Sequence, residues 1–328
     1  MADLSTTYLG LQLKNPLIAS SSGLTNSVES IKELEKNGIG AVVLKSLFEE
    51  EILMELRHNQ ADAIRKGNLY PEVYDHFDYD TVEDTVSKYL SMIAAAKKEV
   101  NIPLIASINC VTSSEWTDFA KKFEEAGADA IELNLFIMPS DLEHSAAENE
   151  KVYFDVVEKV KKVTNIPVSL KISHYFSNLG SMVNQISEAG ADGIVMFNRF
   201  YSSDFDIDNM TVQSTNVLSS SQELSMPLRW IAIMADRVDC DLSGSTGVHD
   251  GASAIKLLLA GAKTTQIATA FYKYGFKHLE TMLEDMEKWM RKWGFESVDD
   301  FRGKMSQKRS LNPAAFERVQ FMKFFSGK

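Results

Sequence analysis

Eight short apolar segments run through this chain, at residues 16–22, 41–46, 103–109, 130–135, 167–173, 193–198, 241–246 and 264–270. Each has a polar residue at its end or one position before it and is followed by a stretch that reads as helix. Two of the gaps repeat a motif: Asn101-Ile102-Pro103 and Asn165-Ile166-Pro167 open strands, and Ala-Gly-Ala-Asp at 126–129 and 189–192 opens the next strand each time. Strands that are apolar along their whole length are buried on both faces, which requires helices packed outside a parallel sheet. Eight such units describe an α/β fold, the (β/α)8 barrel, whose chemistry sits at the C-terminal strand ends. Ser22, Lys45, Asn109, Asn134, Lys171, Asn198, Thr246 and Thr269 are therefore expected to ring one mouth.

With 328 residues, 45% of them hydrophobic, and no Pro/Ser/Gly-rich linker, the expectation is a single barrel domain over 1–328. A net charge of −12 argues against nucleic acid or an anionic membrane as partner and leaves a small-molecule substrate. The two cysteines, Cys110 and Cys240, form no Cys-x-x-Cys, which excludes a cysteine-ligated iron–sulfur cluster within this chain and a disulfide framework; no metal site is assigned. The sequence enters 8–13 and the first strand almost directly, with no signal peptide and no run long enough to span a membrane, so the expectation is a soluble cytoplasmic protein.

Between the strands, Asp80 or Thr81 caps a predicted helix over 82–99, whose apolar Val86, Leu90, Ile93 and Ala94 recur at helical spacing. Further helices are predicted over 116–126, 152–163 and 278–293, the last ending at Gly294. Long loops follow strands two (47–79), four and six (199–228). Long loops on this face serve as lids or substrate walls, with decoration or a homodimer contact as the simpler alternative.

Lys45 and Lys171 interrupt apolar patterns at Val-Val-Leu-Lys-Ser and Val-Ser-Leu-Lys-Ile-Ser. A lysine there is costly unless its ammonium meets an anion or hydrogen-bond acceptors in the mouth; snorkelling past the strand end is the alternative. Such cations suit a group that becomes electron-rich: an enolate, a Schiff base or a reduced isoalloxazine. Gly244-Ser245-Thr246-Gly247 after strand seven and Ala268-Thr269-Ala270 after strand eight stand where barrels of this kind build a phosphate cradle. Ordinary tight turns are the competing reading.

Asn15-Pro16, Ser21-Ser22-Gly23, Lys45-Ser46, Glu132-Leu133-Asn134-Leu135, Lys171, Gly244–Gly247, Gly261-Ala262, Gln266–Ala270, Gly294–Ser297 and Phe301–Lys304 together resemble the soluble dihydroorotate dehydrogenases over nearly the whole chain. That resemblance implies an FMN-dependent barrel that oxidises the C5–C6 bond of dihydroorotate. It implies that Ser21, Ser22, Lys45, Ser46, Asn109, Asn134 and Lys171 approach the flavin ring and ribityl chain, and that Gly244, Thr246, Gly247, Ala268 and Thr269 surround its phosphate. Lys45 would stand at the flavin N1/O2 edge, and Lys45 and Asn134 would also meet substrate.

Departures from the family lie on the substrate side. The family's Glu-Leu-Asn-Leu runs into Ser-Cys-Pro-Asn, whose cysteine (serine in the membrane-bound class) takes the C5 proton; here Phe136-Ile137-Met138-Pro139-Ser140-Asp141 follows, and a thioether takes no proton. The family's Asn-Ser-Met-Gly loop is replaced near Gly67-Asn68-Leu69-Tyr70-Pro71, and Asn198 is followed by Arg199-Phe200-Tyr201. Candidates for the base are His174, Ser140 and an Asp141 whose pKa burial would have to raise. Their alternatives are a packed polar histidine and a turn cap. Arg199 is a candidate clamp for a substrate carboxylate, or else a salt bridge to the acidic 202–208 loop; Asn198 joins it at the substrate. His249 is assigned to support of the phosphate region, and Met54, Met92, Met138 and Met234 to core filling. Three readings stay open: oxidation of dihydroorotate or a close dihydropyrimidine, an FMN oxidoreductase with another substrate, and a low-turnover flavin binder or lysine Schiff-base aldolase.

Overall fold

Two short strands, β1 (Thr6–Tyr8) and β2 (Leu11–Leu13), open the computed structural model, which describes residues 2–49, 85–109, 115–199, 202–215 and 217–317. After them come β3 (Leu17–Ala19), β4 (Ala41–Val43), β5 (Leu47–Phe48), β6 (Leu104–Asn109), β7 (Ala130–Asn134), β8 (Val168–Ile172) and β9 (Gly193–Met196). A hairpin of β10 (Ser202–Asp206) and β11 (Thr211–Thr215) precedes β12 (Asp241–Ser245) and β13 (Thr264–Ile267). All eight predicted strands are present, and they close a parallel barrel in the order β3-β4-β6-β7-β8-β9-β12-β13, with β13 pairing back onto β3.

Alternation explains the apolar runs. Ile18, Ala41, Val43, Ile105 and Ala130 fill the barrel interior, whereas Leu17, Val42, Leu104 and Ile131 pack outward against the helices. Both faces are dry, so both carry apolar side chains. The β1–β2 hairpin plugs the N-terminal end: Tyr8, Leu9 and Leu13 join the interior cluster, and the Leu9 amide donates to Asp241 Oδ2 at 2.8 Å. Gly193 is required there, because a Cβ would lie 2.6 Å from Leu9 Cδ2.

Among the described residues the α-helices are α1 (Val28–Lys36), α2 (Thr85–Glu99), α3 (Glu115–Glu125), α4 (Ala146–Val163), α5 (Leu179–Glu188), α6 (Ser225–Met234), α7 (Gly251–Ala260), α8 (Thr269–Tyr274), α9 (His278–Trp293) and α10 (Ala314–Glu317). The Asp80 or Thr81 cap expected for α2 lies outside the described residues. Helix α4 begins at Ala146 rather than at 152: Ser145 and Glu148 form a capping box, and the added first turns are solvated, so no apolar period marked them. Gly294 ends α9 at φ +72°, as its sequence position implied. Met92 and Met234 pack in the core, but Met138 is 51% exposed and fills nothing; Met54 is outside the described residues. No helix among the described residues is long and apolar enough to cross a membrane.

Of the long loops, residues 47–79 are described only to 49. The loop after β7 runs to α4, and the 199–228 connection holds the β10–β11 hairpin, which exposes Phe205, Ile207, Met210 and Val212. It then returns over the barrel mouth as a strap, 217–224, ending in a single helical turn at Ser221–Leu224.

Candidate active site

A cavity of about 640 Å³ occupies the C-terminal mouth, and all eight strand-terminal polar residues line it. Lys45 and Lys171 reach it from β4 and β8, and Asn109, Asn134 and Asn198 from β6, β7 and β9. Its volume falls in the range of small-molecule and cofactor sites, roughly 300–1,000 Å³.

Below the cavity the barrel interior turns polar. Lys171, 5% exposed, donates from Nζ to Gln266 Oε1 at 2.8 Å and to Ser20 Oγ at 3.0 Å. Glu132, 1% exposed, places Oε1 3.5 Å from the same ammonium, while its Oε2 accepts from Gln266 Nε2. Tyr8 rises from the plug below; burial first, then the charges of Glu132 and Asp241, push its phenol well above its ordinary pKa, so it stays neutral. Ser20, Glu132 and Gln266 were not singled out as site residues in the sequence. Glu132 carried the signal that flagged the lysines, a charge inside an apolar strand.

On the β3–β4 side, Ser46 donates its amide to Ser21 Oγ at 2.9 Å, and its hydroxyl bonds Ser107 Oγ at 2.7 Å. Tyr89 of α2 holds the Ser107 backbone from behind, so helix packing fixes this wall. Ser22 accepts from the Leu24 amide and caps the turn that carries the wall. Asn198 Nδ2 donates to Asn134 Oδ1, locking both amides in one orientation.

The opposite end is built from small residues. Thr246 and Gly247 both adopt φ +78°, and Thr246 donates its hydroxyl to the Phe197 carbonyl at 3.2 Å. A non-glycine in the left-handed region costs about 1–2 kcal/mol, the kind of strain that clusters at functional sites. Ala268 and Thr269 line the cavity beside them at the start of α8. The strap closes over this end: Ser219 donates its amide and hydroxyl to Thr269 Oγ1, and Ser219 Oγ lies 3.2 Å from His249 Nε2. His249 is buried beside this end of the cavity, its pKa lowered mainly by desolvation.

Five expectations change. Gly244 does not line the cavity: it faces outward, where a Cβ would meet Leu257 Cδ1 at 2.6 Å and Ile231 Cδ1 at 3.0 Å, so it is a packing glycine under α6 and α7. Arg199 lines the cavity, yet its guanidinium binds Glu223 Oε2 at 2.8 Å and the Val217 carbonyl at 2.9 Å, so it ties down the strap. Ser140 is exposed and outside the cavity wall, and Asp141 is exposed with its pKa lowered by the Glu143 amide and His144, the reverse of the shift a base would need. His174 also lies outside the wall: its ring packs on Tyr175 and Phe197, with centroids 4.6 and 5.8 Å away, and burial lowers its pKa. The loop departs from the wall after Asn134, and the Ile137 amide donates to Tyr153 OH at 3.1 Å.

A closed parallel barrel whose C-terminal mouth holds paired lysines, strand-end amides and strained small-residue loops defines a barrel enzyme with its site at that mouth. The family model described as dihydroorotate dehydrogenase matches residues 80–290. The chain belongs to the dihydroorotate dehydrogenase family and is an oxidoreductase of that type. It is 28% identical to the dihydroorotate dehydrogenase B (NAD(+)) catalytic subunit of Thermoplasma volcanium, over 92% of this chain and 98% of that one. It is 27% identical to the same subunit of Pyrococcus abyssi, over 92% and 98%. With the NAD-dependent dihydropyrimidine dehydrogenase subunit PreA of Escherichia coli K12 it shares 26% identity, over 92% of this chain and 76% of that one.

Proposed function

We propose that the mouth binds FMN and that the protein oxidises the C5–C6 bond of dihydroorotate or a related dihydropyrimidine. The observation that carries this reading is the division of one cavity into a cationic, amide-rich end and a small-residue end. Backbone amides of the Thr246-Gly247 turn, with Ala268 and Thr269, would hold the phosphate; Ser21, Ser22, Ser46 and Asn109 would flank the ribityl chain; Lys45, Asn134 and Lys171 would face the ring. The chemistry the cofactor supplies when bound is acceptance of a hydride from the substrate. The chain's own part is to place a positive charge where the reduced ring becomes anionic, to orient substrate with Asn134 and Asn198, and to exclude water beneath the strap. The names of the bacterial and archaeal relatives, which cover dihydroorotate and dihydropyrimidine alike, support this substrate class, and a cytoplasmic location accords with it.

A second reading, another reducible substrate on the same cofactor, is favoured by the loop after β7. Met138 stands at the position of the family's cysteine, and neither Ser140 nor Asp141 approaches the cavity. One experiment separates the two. Purified protein should carry noncovalent FMN, and anaerobic titration with a panel of dihydropyrimidines should bleach its absorbance near 450 nm. Recovery of FAD, or colourless protein that FMN does not reconstitute, refutes the cofactor; bleaching by none of the dihydropyrimidines moves the substrate to the second reading.

A further inference from the structure

The charges that reach the mouth do not come from the lysines alone. Arg199 pairs with Glu223, and Lys171 has a carboxylate, Glu132, beneath it. Glu132 lies deeper than Lys171 and touches no part of the cavity wall. Its Oε1 faces the Lys171 ammonium at 3.5 Å without a hydrogen bond, and its Oε2 is held by Gln266, whose own oxygen accepts from Lys171. Ser20 completes the ring by donating to Gln266 Oε1 and accepting from Lys171. Three side chains from β7, β13 and the end of β3 thus surround one ammonium, and Glu132 compensates its charge from the side away from the cavity.

Taking the proposed flavin site as given, we propose that Glu132 is a positioning residue that sets the flavin reduction potential by offsetting Lys171. Two cations facing the ring would stabilise the reduced anion strongly. A buried carboxylate behind one of them lowers that stabilisation, and in a water-poor interior such a charge is felt over several ångströms with little screening. The Glu132–Gln266–Ser20 ring also keeps the Lys171 ammonium from lying buried without partners.

The test is a cycle of potentials on FMN-loaded protein, measured at pH 6 by dye-equilibrated photoreduction, for wild type, Glu132→Gln, Lys171→Met and the double variant. Glu132→Gln is expected to raise the potential by at least a tenfold change in the two-electron equilibrium, about 30 mV. Lys171→Met should lower it, and adding Glu132→Gln to Lys171→Met should recover part of that loss. A residue that only fills space would move FMN affinity or melting temperature without moving the potential in opposite directions in the two single variants. If Glu132→Gln does not fold, the comparison of Lys171→Met with the double variant decides alone. Equal potentials in that pair, or an unchanged potential in folded Glu132→Gln, overturn the inference while leaving the cofactor assignment intact. Wild-type protein that takes up no FMN overturns the cofactor assignment and this inference with it.

Discussion

Gly247→Ala presses on the strap from the turn beneath it. Gly247 sits at φ +78°, and a Cβ there would lie 2.3 Å from Leu224 N, 2.8 Å from Leu224 Cα and 3.0 Å from Glu223 C. Those are backbone atoms, so no rotamer change relieves the overlap and the strap itself must move. Two costs add. The left-handed conformation costs an alanine about 1–2 kcal/mol, and overpacking against fixed neighbours costs typically about 1–3 kcal/mol. Gly10 provides the matched control: its φ is +74°, and a Cβ there would meet nothing within 4 Å, so Gly10→Ala meets the first cost alone. Displacing the strap also loosens Ser219 from Thr269 and Glu223 from Arg199. We expect Gly247→Ala to weaken FMN binding at least tenfold, equivalent to about 1.4 kcal/mol, and to melt below Gly10→Ala. Isothermal titration of the apoprotein with FMN and differential scanning calorimetry read the two quantities. Gly247→Ala that binds FMN as wild type does, and melts with Gly10→Ala, would refute the strap's role in closing the small-residue end.

Lys45→Ala should lower the flavin potential and slow reduction by substrate in stopped flow; an unchanged potential with FMN bound would place Lys45 away from the ring. Arg199→Ala should weaken FMN binding by releasing the strap while leaving the potential unchanged, as spectroelectrochemistry would check. Burial raises the pKa of Glu223, but its hydrogen bonds to Arg199 and Ser220 outweigh that and hold it below the ordinary 4.5. A depressed carboxylate contributes stability above its unfolded pKa and loses it as pH falls through the folded one. Melting temperature should therefore drop as pH falls below 4.5, less steeply in Arg199→Ala. His174→Ala should leave flavin reduction unchanged, because the ring lies outside the cavity wall; a slowed half-reaction in stopped flow would return His174 to the chemistry.

Strand chemistry was legible in the sequence because a strand has only two sides. Once 130–135 and 167–173 were placed in a closed barrel, Asn134 and Lys171 had to point inward, since Leu133 and Leu170 point to helices. The same alternation shows why Gly244 misled: it lies one residue off the inward register of Ser245, and glycine carries no side chain to betray its face. Residues held by tertiary contacts were not legible. No local pattern announces that Arg199 will reach Glu223 of the strap, or that Ser219 will bond Thr269 fifty positions later. The early start of α4 escaped for a related reason, since a solvated first turn is specified by its capping box and not by apolar spacing.

That distinction bears on how the substrate side could change while the cofactor side stayed. The residues assigned to the flavin sit on strand ends or on turns wedged between packed elements: Ser46 is braced by Ser107 and Tyr89, and Thr246 by the Phe197 carbonyl. Replacing any of them disturbs barrel packing as well as binding. Met138, Ser140 and Asp141 hang beyond the last anchored position, Ile137, in a loop exposed to solvent up to the Ser145 cap. Substitution there costs little folding energy. A barrel of this construction therefore places the proposed cofactor contacts under structural constraint and leaves the exposed loop after β7 open to change, which is the pattern that Lys45, Asn134 and Lys171 on one side and Met138 on the other would display.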